Sequence, residues 1–334
     1  MVIGQHPDKG EPMLGPLGLA RPRIIQAASR EKLLHPPSVD TIQRATARFA
    51  PDYDEWMAET HHPKATRLIT KFYWGGQRGR TIAELGCGTA QLTRNLMSSI
   101  LTREASARKL DHGEIEPTTF ICLDQNENML RLAYENIKEA IAAHIRGLEG
   151  VLCRKAGSDG TVGTPLPKTE EAQDRIVLTH RANTIVDVRF LLMEAERLPE
   201  TEYHHKIDLA IMAYINHWLR GLAGKRAAIK NLHDTLADEG RVFVVEEYPL
   251  VVRTDLHPDD EEIQELGGLI EEASTVLTIP EISLLYEEAG FVLTERAKEL
   301  PIDDLHFMHG LSFQKGVYDD VNGMMTAPPA VLKR

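Results

Sequence analysis

Residues 81–92 read TIAELGCGTAQL. An apolar run, an acid, two glycines one residue apart and an amphipathic stretch describe a buried strand turning tightly into a helix. Such a turn lets the main chain approach a ligand closely, and the helix N-terminus behind it favours polar or anionic groups. A dinucleotide fingerprint, G-x-G-x-x-G, needs a third glycine for close helix–strand packing; here that position is Gln91. Glu84 stands two residues before Gly86, where a carboxylate would repel a pyrophosphate and attract an ammonium group. The stretch therefore predicts a nucleotide-like cofactor with a cationic amino-acid moiety.

Outward from this loop, strand and helix patterns alternate. TFICLD (119–124) is a second buried strand, and the following helix starts at Asn126 as N-cap, with Leu130, Ala133, Ile137, Ile141, Ile145 and Leu148 on one face. DVRFLLME and KIDLAIMAY supply two more strands, and a helix over Gly224–Ala237 ends before Gly240 and the strand RVFVVEE. Thr278-Ile-Pro-Glu281 has the form of a capping box with proline in the first turn. FVLTERAKEL and LHFMHGLSF are expected to pair as an antiparallel terminal hairpin across a short turn at Pro301–Asp304. Alternation of this kind predicts a mostly parallel sheet with helices on both faces.

The remainder of the chain is expected to divide into a partly mobile arm over 1–45, with a short helical piece around Arg23–Leu34, a domain over 46–316 and a tail over 317–334. Insertions fall near 102–117, 150–182 and 250–277; the second, with GSDGTVGTPLPKTEE, reads as a surface loop, and the third holds a helix over Asp259–Ala273. The formal net charge of -12, without a local run of Lys or Arg, argues against a nucleic-acid partner and for a small molecule. Cys87, Cys122 and Cys153 show no metal-type spacing, no apolar run is long enough to span a bilayer, and no secretory signal is expected. A cytoplasmic monomer or homodimer is the expectation.

ELGCGTA resembles the first motif of class I S-adenosylmethionine-dependent methyltransferases, and further segments agree in order. CLDQNENMLRLA (122–133) is similar to the family's second-strand motif, whose acid binds the ribose hydroxyls; that acid is Asp124. MEAERLP (193–199) is similar to the segment whose acid and backbone contact the adenine, matching Glu194 and Ala195. DLAIMAYINHWL (208–219) resembles the fourth-strand motif that lines the reaction centre. Two departures are visible: Ala90 replaces a common glycine, and Asp124 follows Gly88 by an unusually long interval that the 102–117 insertion accounts for.

The resemblance is closest to the small-molecule branch that includes ubiquinone and menaquinone methyltransferases. It implies a Rossmann-like α/β fold with a seven-stranded, mostly parallel sheet, an antiparallel C-terminal strand and an N-terminal helical cap. It implies an enzyme that binds S-adenosyl-L-methionine and transfers its methyl group, by in-line displacement, to an O, N or C nucleophile of a small molecule. The cofactor-binding residues it points to are Tyr53, Glu84, Gly86, Cys87, Gly88, Asp124, Gln125, Met129, Glu194, Ala195 and Met212. A non-catalytic cofactor-binding protein on the same fold, or a protein methyltransferase, are the alternatives.

His217, just after the fourth strand, is the candidate general base, and Tyr214 shares its loop. Either residue could instead be packed or capping. The pairs His61–His62 and His204–His205 suggest metal ligands, but neighbours on a helix do not share a face and no carboxylate partner is evident in the sequence. No metal is expected.

Overall fold

The computed structural model describes residues 22–50, 53–58, 61–75, 80–104, 116–155, 168–172, 174–180, 183–198, 200–256, 258–319 and 324–326. Among these, ten strands build one sheet: β1 (Thr81–Leu85), β2 (Thr118–Asp124), β3 (Lys168–Ala172), β4 (Arg175–His180), β5 (Asn183–Leu192), β6 (Ile207–Ala213), β7 (Leu236–Tyr248), β8 (Phe291–Arg296), β9 (Leu300–Pro301) and β10 (Phe307–Lys315). Their order is β8-β10-β7-β6-β1-β2-β5-β4-β3, with β9 also paired to β10. The contiguous run β5-β2-β1-β6-β7 is parallel. β10 and β8 close one side antiparallel. This is the doubly wound sheet with an antiparallel terminal strand that the loop-and-strand pattern predicts.

Among the described residues, eight helices of six residues or more surround it: α1 (Val39–Phe49), α2 (Tyr53–Ala58), α3 (His61–Gly75), α4 (Gln91–Glu104), α5 (Glu127–Lys155), α6 (Gly221–Thr235), α7 (Glu261–Ala273) and α8 (Ile279–Glu288). Central strands are buried on both faces, which is why β1 and β6 read as unbroken apolar runs rather than alternating ones. Successive side chains still part to opposite faces. Ile82 and Phe120 pack under α3, α4 and α5 through Phe72, Leu96 and Ile137. Ala83, Leu85 and Ile121 pack under α6 and α8 through Ile229, Leu232, Ile282 and Tyr286.

The predicted caps are present. Asn126 Oδ1 accepts from the amides of Asn128 and Met129 at 3.0 and 3.3 Å. Thr278 and Glu281 form the reciprocal capping box, with Pro280 in the first turn.

Three expectations change. The sheet has more than seven strands, because Lys168–Ala172 and Arg175–His180 of the supposed surface insertion add two antiparallel edge strands. Ile176 and Leu178 are fully buried in period-two alternation, a strand signal overshadowed by the neighbouring Gly/Pro-rich stretch. Of the helical piece expected around Arg23–Leu34, only Arg30–Leu34 is a helix, capped by Ser29; Arg23–Ile25 is a strand that pairs with Leu250–Val252 and lodges Ile25 beside Leu266 and Ile270. Finally, α6 stops at Thr235 and Leu236 already pairs with Ile207, so Gly240 lies within an irregular strand rather than ending a helix.

The helical cap is α1 with α2, and Ile42 and Ala45 of α1 pack on Ala273 of α7. At the C-terminus, Val317–Asp319 pairs with Met324–Thr326. The expected mobile part of the arm before residue 22, most of the 102–117 insertion and the end of the tail lie outside the described residues.

Candidate active site

The chain leaves β1 toward β2 on one side, while β6 lies against β1 on the other. In open α/β sheets, ligands sit outside the carboxyl ends of strands at such a reversal. The loop 86–90 occupies that position. Gly86, Gly88 and Ala90 have φ of 65°, 53° and 56°. A Cβ on Gly86 would run into Ile215 Cδ1 and lie 2.9 Å from its Cγ1, so this glycine is required by space as well as by backbone angle. At Gly88 a Cβ meets only Tyr53 Cε1 at 3.6 Å, so there the positive φ is the constraint.

Asp124 anchors the loop from the end of β2. Its Oδ2 accepts the Gly88 amide at 2.9 Å and its Oδ1 the Asn126 amide at 2.8 Å. Burial raises the Asp124 carboxyl above its ordinary range, while these amides and that of Gln125 pull it down. Each carboxylate oxygen keeps a further acceptor site for a ligand hydroxyl.

A narrow cleft of about 100 Å³ opens beside this loop, and Tyr53, Gly86, Gly88, Asp124, Gln125, Met129, Glu194 and Ala195 all line it. Glu84, Cys87 and Met212 do not. Glu84 points inward, where its Oε2 accepts the Thr93 amide at 3.1 Å and the Thr93 hydroxyl at 2.6 Å. It thereby holds the first turn of α4, whose amides lack helical partners, against β1. Burial pushes the Glu84 carboxyl up to about 7 despite those bonds. The Cys87 thiol lies 3.6 Å from the Gly88 carbonyl, and burial raises its pKa well above the ordinary thiol value. Met212 Sδ accepts from the Tyr286 hydroxyl at 2.8 Å.

Over the cleft lies the cap. Val39, Ile42, Phe49 and Tyr53 form its outer wall. Asp54 latches α2 to the glycine loop: it accepts from the Thr89 hydroxyl, from Gln91 Nε2 at 2.9 Å and from Asn136 Nδ2 at 3.2 Å. Asn136 also donates to the Thr89 carbonyl at 3.0 Å, closing the network on α5.

A second cavity, of about 510 Å³, shares Phe49, Tyr53, Tyr214 and Trp218 with the cleft. It falls within the ~300–1,000 Å³ typical of small-molecule sites. His217 lines it, with Nδ1 3.2 Å from Glu246 Oε2. Glu246 Oε1 accepts the Asn216 amide at 2.8 Å and its side-chain Nδ2 at 3.1 Å. A carboxylate on Nδ1 fixes the ring orientation and the tautomer that leaves Nε2 as the acceptor nitrogen. Tyr214 has φ 58°; its hydroxyl donates to the His61 carbonyl at 3.3 Å and lies 3.5 Å from Met308 Sδ. Burial raises its phenol well above the usual value, which removes it as a base near neutrality.

Behind the loop that carries His217, the fully buried Lys225 of α6 donates to the carbonyls of Asn216 and Leu219, the latter at 3.0 Å, and to Thr275 Oγ1 at 2.9 Å. Burial lowers its pKa to about 7, against the opposing pull of Glu246 and Glu196. A wider depression of about 770 Å³ runs between α3 and α4 and touches this machinery only at Asp54 and Gln91.

Sequence reasoning missed Asp54, Glu246, Glu247 and Lys225. Two adjacent acids at the carboxyl end of β7 were the available signal, because a strand end in an open α/β sheet faces the ligand crevice.

No protein-family profile and no curated protein sequence matches the chain. Solved structures of similar shape include the N-methyltransferase NodS of Bradyrhizobium japonicum WM9, in complex with S-adenosyl-L-homocysteine, at 13% identity and TM-score 0.48, covering 83% of this chain and 99% of that one. Magnesium protoporphyrin IX methyltransferase of Synechocystis PCC 6803 is similar at 13% identity and TM-score 0.46, covering 83% and 100%. The 1,6-didemethyltoxoflavin-N1-methyltransferase of Burkholderia thailandensis gives 13% identity and TM-score 0.46, covering 89% and 94%. These are distant likenesses in chain path, and the fold assignment rests on the strand order and register of the sheet itself.

Proposed function

We propose that the cleft binds S-adenosyl-L-methionine and that the protein is an enzyme transferring its methyl group to a small molecule held in the adjoining cavity. The observation that carries this is the pairing of two spaces across one shared wall. A glycine loop anchored by Asp124 lines the first, and the 510 Å³ cavity meets it at Tyr53 and Tyr214. A single cofactor cleft would serve many chemistries; a second cavity abutting it serves group transfer. Its volume of about 510 Å³ suits a small acceptor.

When bound, S-adenosylmethionine supplies a methyl carbon already activated by its sulfonium. The chain has correspondingly little covalent chemistry to perform, and its contribution is alignment and exclusion of water. Asp124 would take the ribose hydroxyls, and Glu194 with Ala195 would face the adenine. Tyr53 of the cap covers the Gly88 side. Methyl transfer would make a bond from an O, N or C atom of the acceptor to the methyl carbon and break the carbon–sulfur bond, with S-adenosylhomocysteine as the other product. Where that nucleophile carries a proton, His217 Nε2 accepts it, held in position by Glu246. At about 100 Å³ the cleft is narrower than a cofactor of this size requires, so binding it would require the residues around the cleft to shift.

Calorimetric titration with S-adenosylmethionine and S-adenosylhomocysteine tests the reading, with NADH as control. One site per chain with micromolar affinity is expected for the first two ligands. No heat at millimolar concentrations of either would overturn it.

A further inference from the structure

Glu247 follows Glu246 on β7, and its side chain leaves the strand on the opposite face. There it meets two imidazoles from distant parts of the chain. His61 Nε2, from the first turn of α3, lies 3.0 Å from Glu247 Oε2, and His306 Nε2, just before β10, lies 3.3 Å from the same oxygen. One ligand atom from each of the three residues falls within 4.8 Å of the other two. We propose that His61, Glu247 and His306 form a binding site for a divalent first-row transition-metal ion at the inner end of the 510 Å³ cavity.

Four observations support it. First, the donor set of two imidazoles and a carboxylate is one that zinc and its first-row neighbours take. Second, the spacings fit: ligand atoms about 2.0–2.1 Å from a tetrahedral zinc stand roughly 3.3 Å apart. Third, His306 is held in the tautomer a metal needs. Its Nδ1 donates to Asp303 Oδ1 at 2.8 Å, so in the neutral ring Nε2 is the nitrogen left to bind a metal. Arg253 Nη1 in turn fixes Asp303 Oδ2 at 2.9 Å. Fourth, His306 Nε2 is buried and has no hydrogen-bond partner among the described residues; its contact with Glu247 is at ion-pair distance without hydrogen-bond alignment. A buried nitrogen in that state costs free energy unless something accepts its lone pair.

Three protein donors leave at least one coordination position, and all three residues line the cavity. That position takes an oxygen or nitrogen donor of whatever occupies the cavity. A hydroxyl bound there would lose its proton more readily; this last step rests on the methyl-transfer reading, whereas the metal site does not. The expectation of no metal followed from the adjacency of His61 and His62. The structure pairs His61 instead with a carboxylate 186 residues away in sequence.

The test is titration of the full-length protein, after chelation and without cofactor, with Co²⁺ followed by visible absorption, and with Zn²⁺ by equilibrium dialysis. One equivalent of each ion is expected per chain. His306→Ala and Glu247→Gln should each weaken binding more than about 100-fold, and Asp303→Asn about 10–100-fold, as outer-shell partners do. His205→Ala removes an exposed histidine elsewhere and should leave binding unchanged. Circular dichroism of every variant confirms folding, and the near-isosteric Glu247→Gln decides the matter if His306→Ala does not fold. Binding of no ion by the wild type, binding unaltered in Glu247→Gln, or binding lost in His205→Ala overturns the proposal. Because no cofactor is present, failure here leaves the calorimetric result on S-adenosylmethionine independent.

Discussion

Replacing Lys225 with methionine isolates the energetics of the loop beneath His217. The lysine is fully buried and meets three acceptors, the carbonyls of Asn216 and Leu219 and the hydroxyl of Thr275. Its pKa falls from 10.5 in the exposed chain to about 7 in the fold, because burial penalises the ammonium more than Glu246 and Glu196 support it. Between those two values the unfolded chain binds a proton that the folded chain lacks, so this group's contribution to stability rises with pH across that window. The slope is about 1.4 kcal/mol per pH unit once the folded amine is neutral, or about 2 kcal/mol between pH 7 and pH 9.

Lys225→Met removes the titration while keeping much of the side-chain volume. At pH 7 two effects oppose each other: the Asn216 carbonyl loses its donor, at about 1–3 kcal/mol, and the cost of a buried amine disappears. The informative quantity is therefore the pH trend. Urea unfolding followed by circular dichroism at pH 7, 8 and 9, for wild type and variant, should show the wild type gaining about 2 kcal/mol on the variant. A difference that stays flat over this range would refute the reasoning. It would mean that three acceptors hold the ammonium charged and outweigh its burial.

Three further outcomes follow from the same geometry. Gly86→Ala forces a side chain to φ 65° and into Ile215; it should cost about 2–5 kcal/mol in thermal or urea unfolding and abolish the calorimetric signal for S-adenosylhomocysteine. Asp54→Ala removes the acceptor for three donors on the loop and on α5; stopped-flow measurements should show S-adenosylhomocysteine leaving at least about 10-fold faster, with association changed far less. Glu246→Gln leaves His217 without its carboxylate; methyl transfer to a protonated acceptor should fall about 10²–10⁴-fold while cofactor affinity is retained, as measured by turnover alongside calorimetry.

The sequence carried the frame of this fold because parallel sheets bury their strands on both faces. Phe120 to Leu123, closed by Asp124, and Leu209 to Ala213 were therefore recognisable as continuous apolar runs, and Ile82 to Leu85, closed by Gly86, as one interrupted only by Glu84. Asn126 and the Thr278–Glu281 box were legible for a related reason: caps act within three residues. The edge strand β3 was hidden because its polar residues resemble a loop in the absence of a partner, and β4, despite its buried Ile176 and Leu178, because it follows a Gly/Pro-rich stretch. Glu84 shows a different limit. Its position beside the glycines was plain, but whether its carboxylate faced the cleft or Thr93 depended on α4 docking back onto β1. Glu247 shows the sharpest one, because His61 and His306 meet it only after the ends of the chain are folded together.

The neighbours Glu246 and Glu247 carry one more consequence. They sit on a single strand whose register is fixed on both edges, Val245 and Glu246 standing opposite Gly310 and His309 of β10. A slip of one residue would carry one acid into the other's place and leave a single site without a carboxylate: Val245 would stand by His217 in one direction, and Tyr248 would stand by His61 and His306 in the other. The proton-handling corner and the imidazole cluster thus depend on one strand register. Whatever tunes the pairing of β7 with β10 tunes both together, so a mutation far down that seam should reach the two places at once.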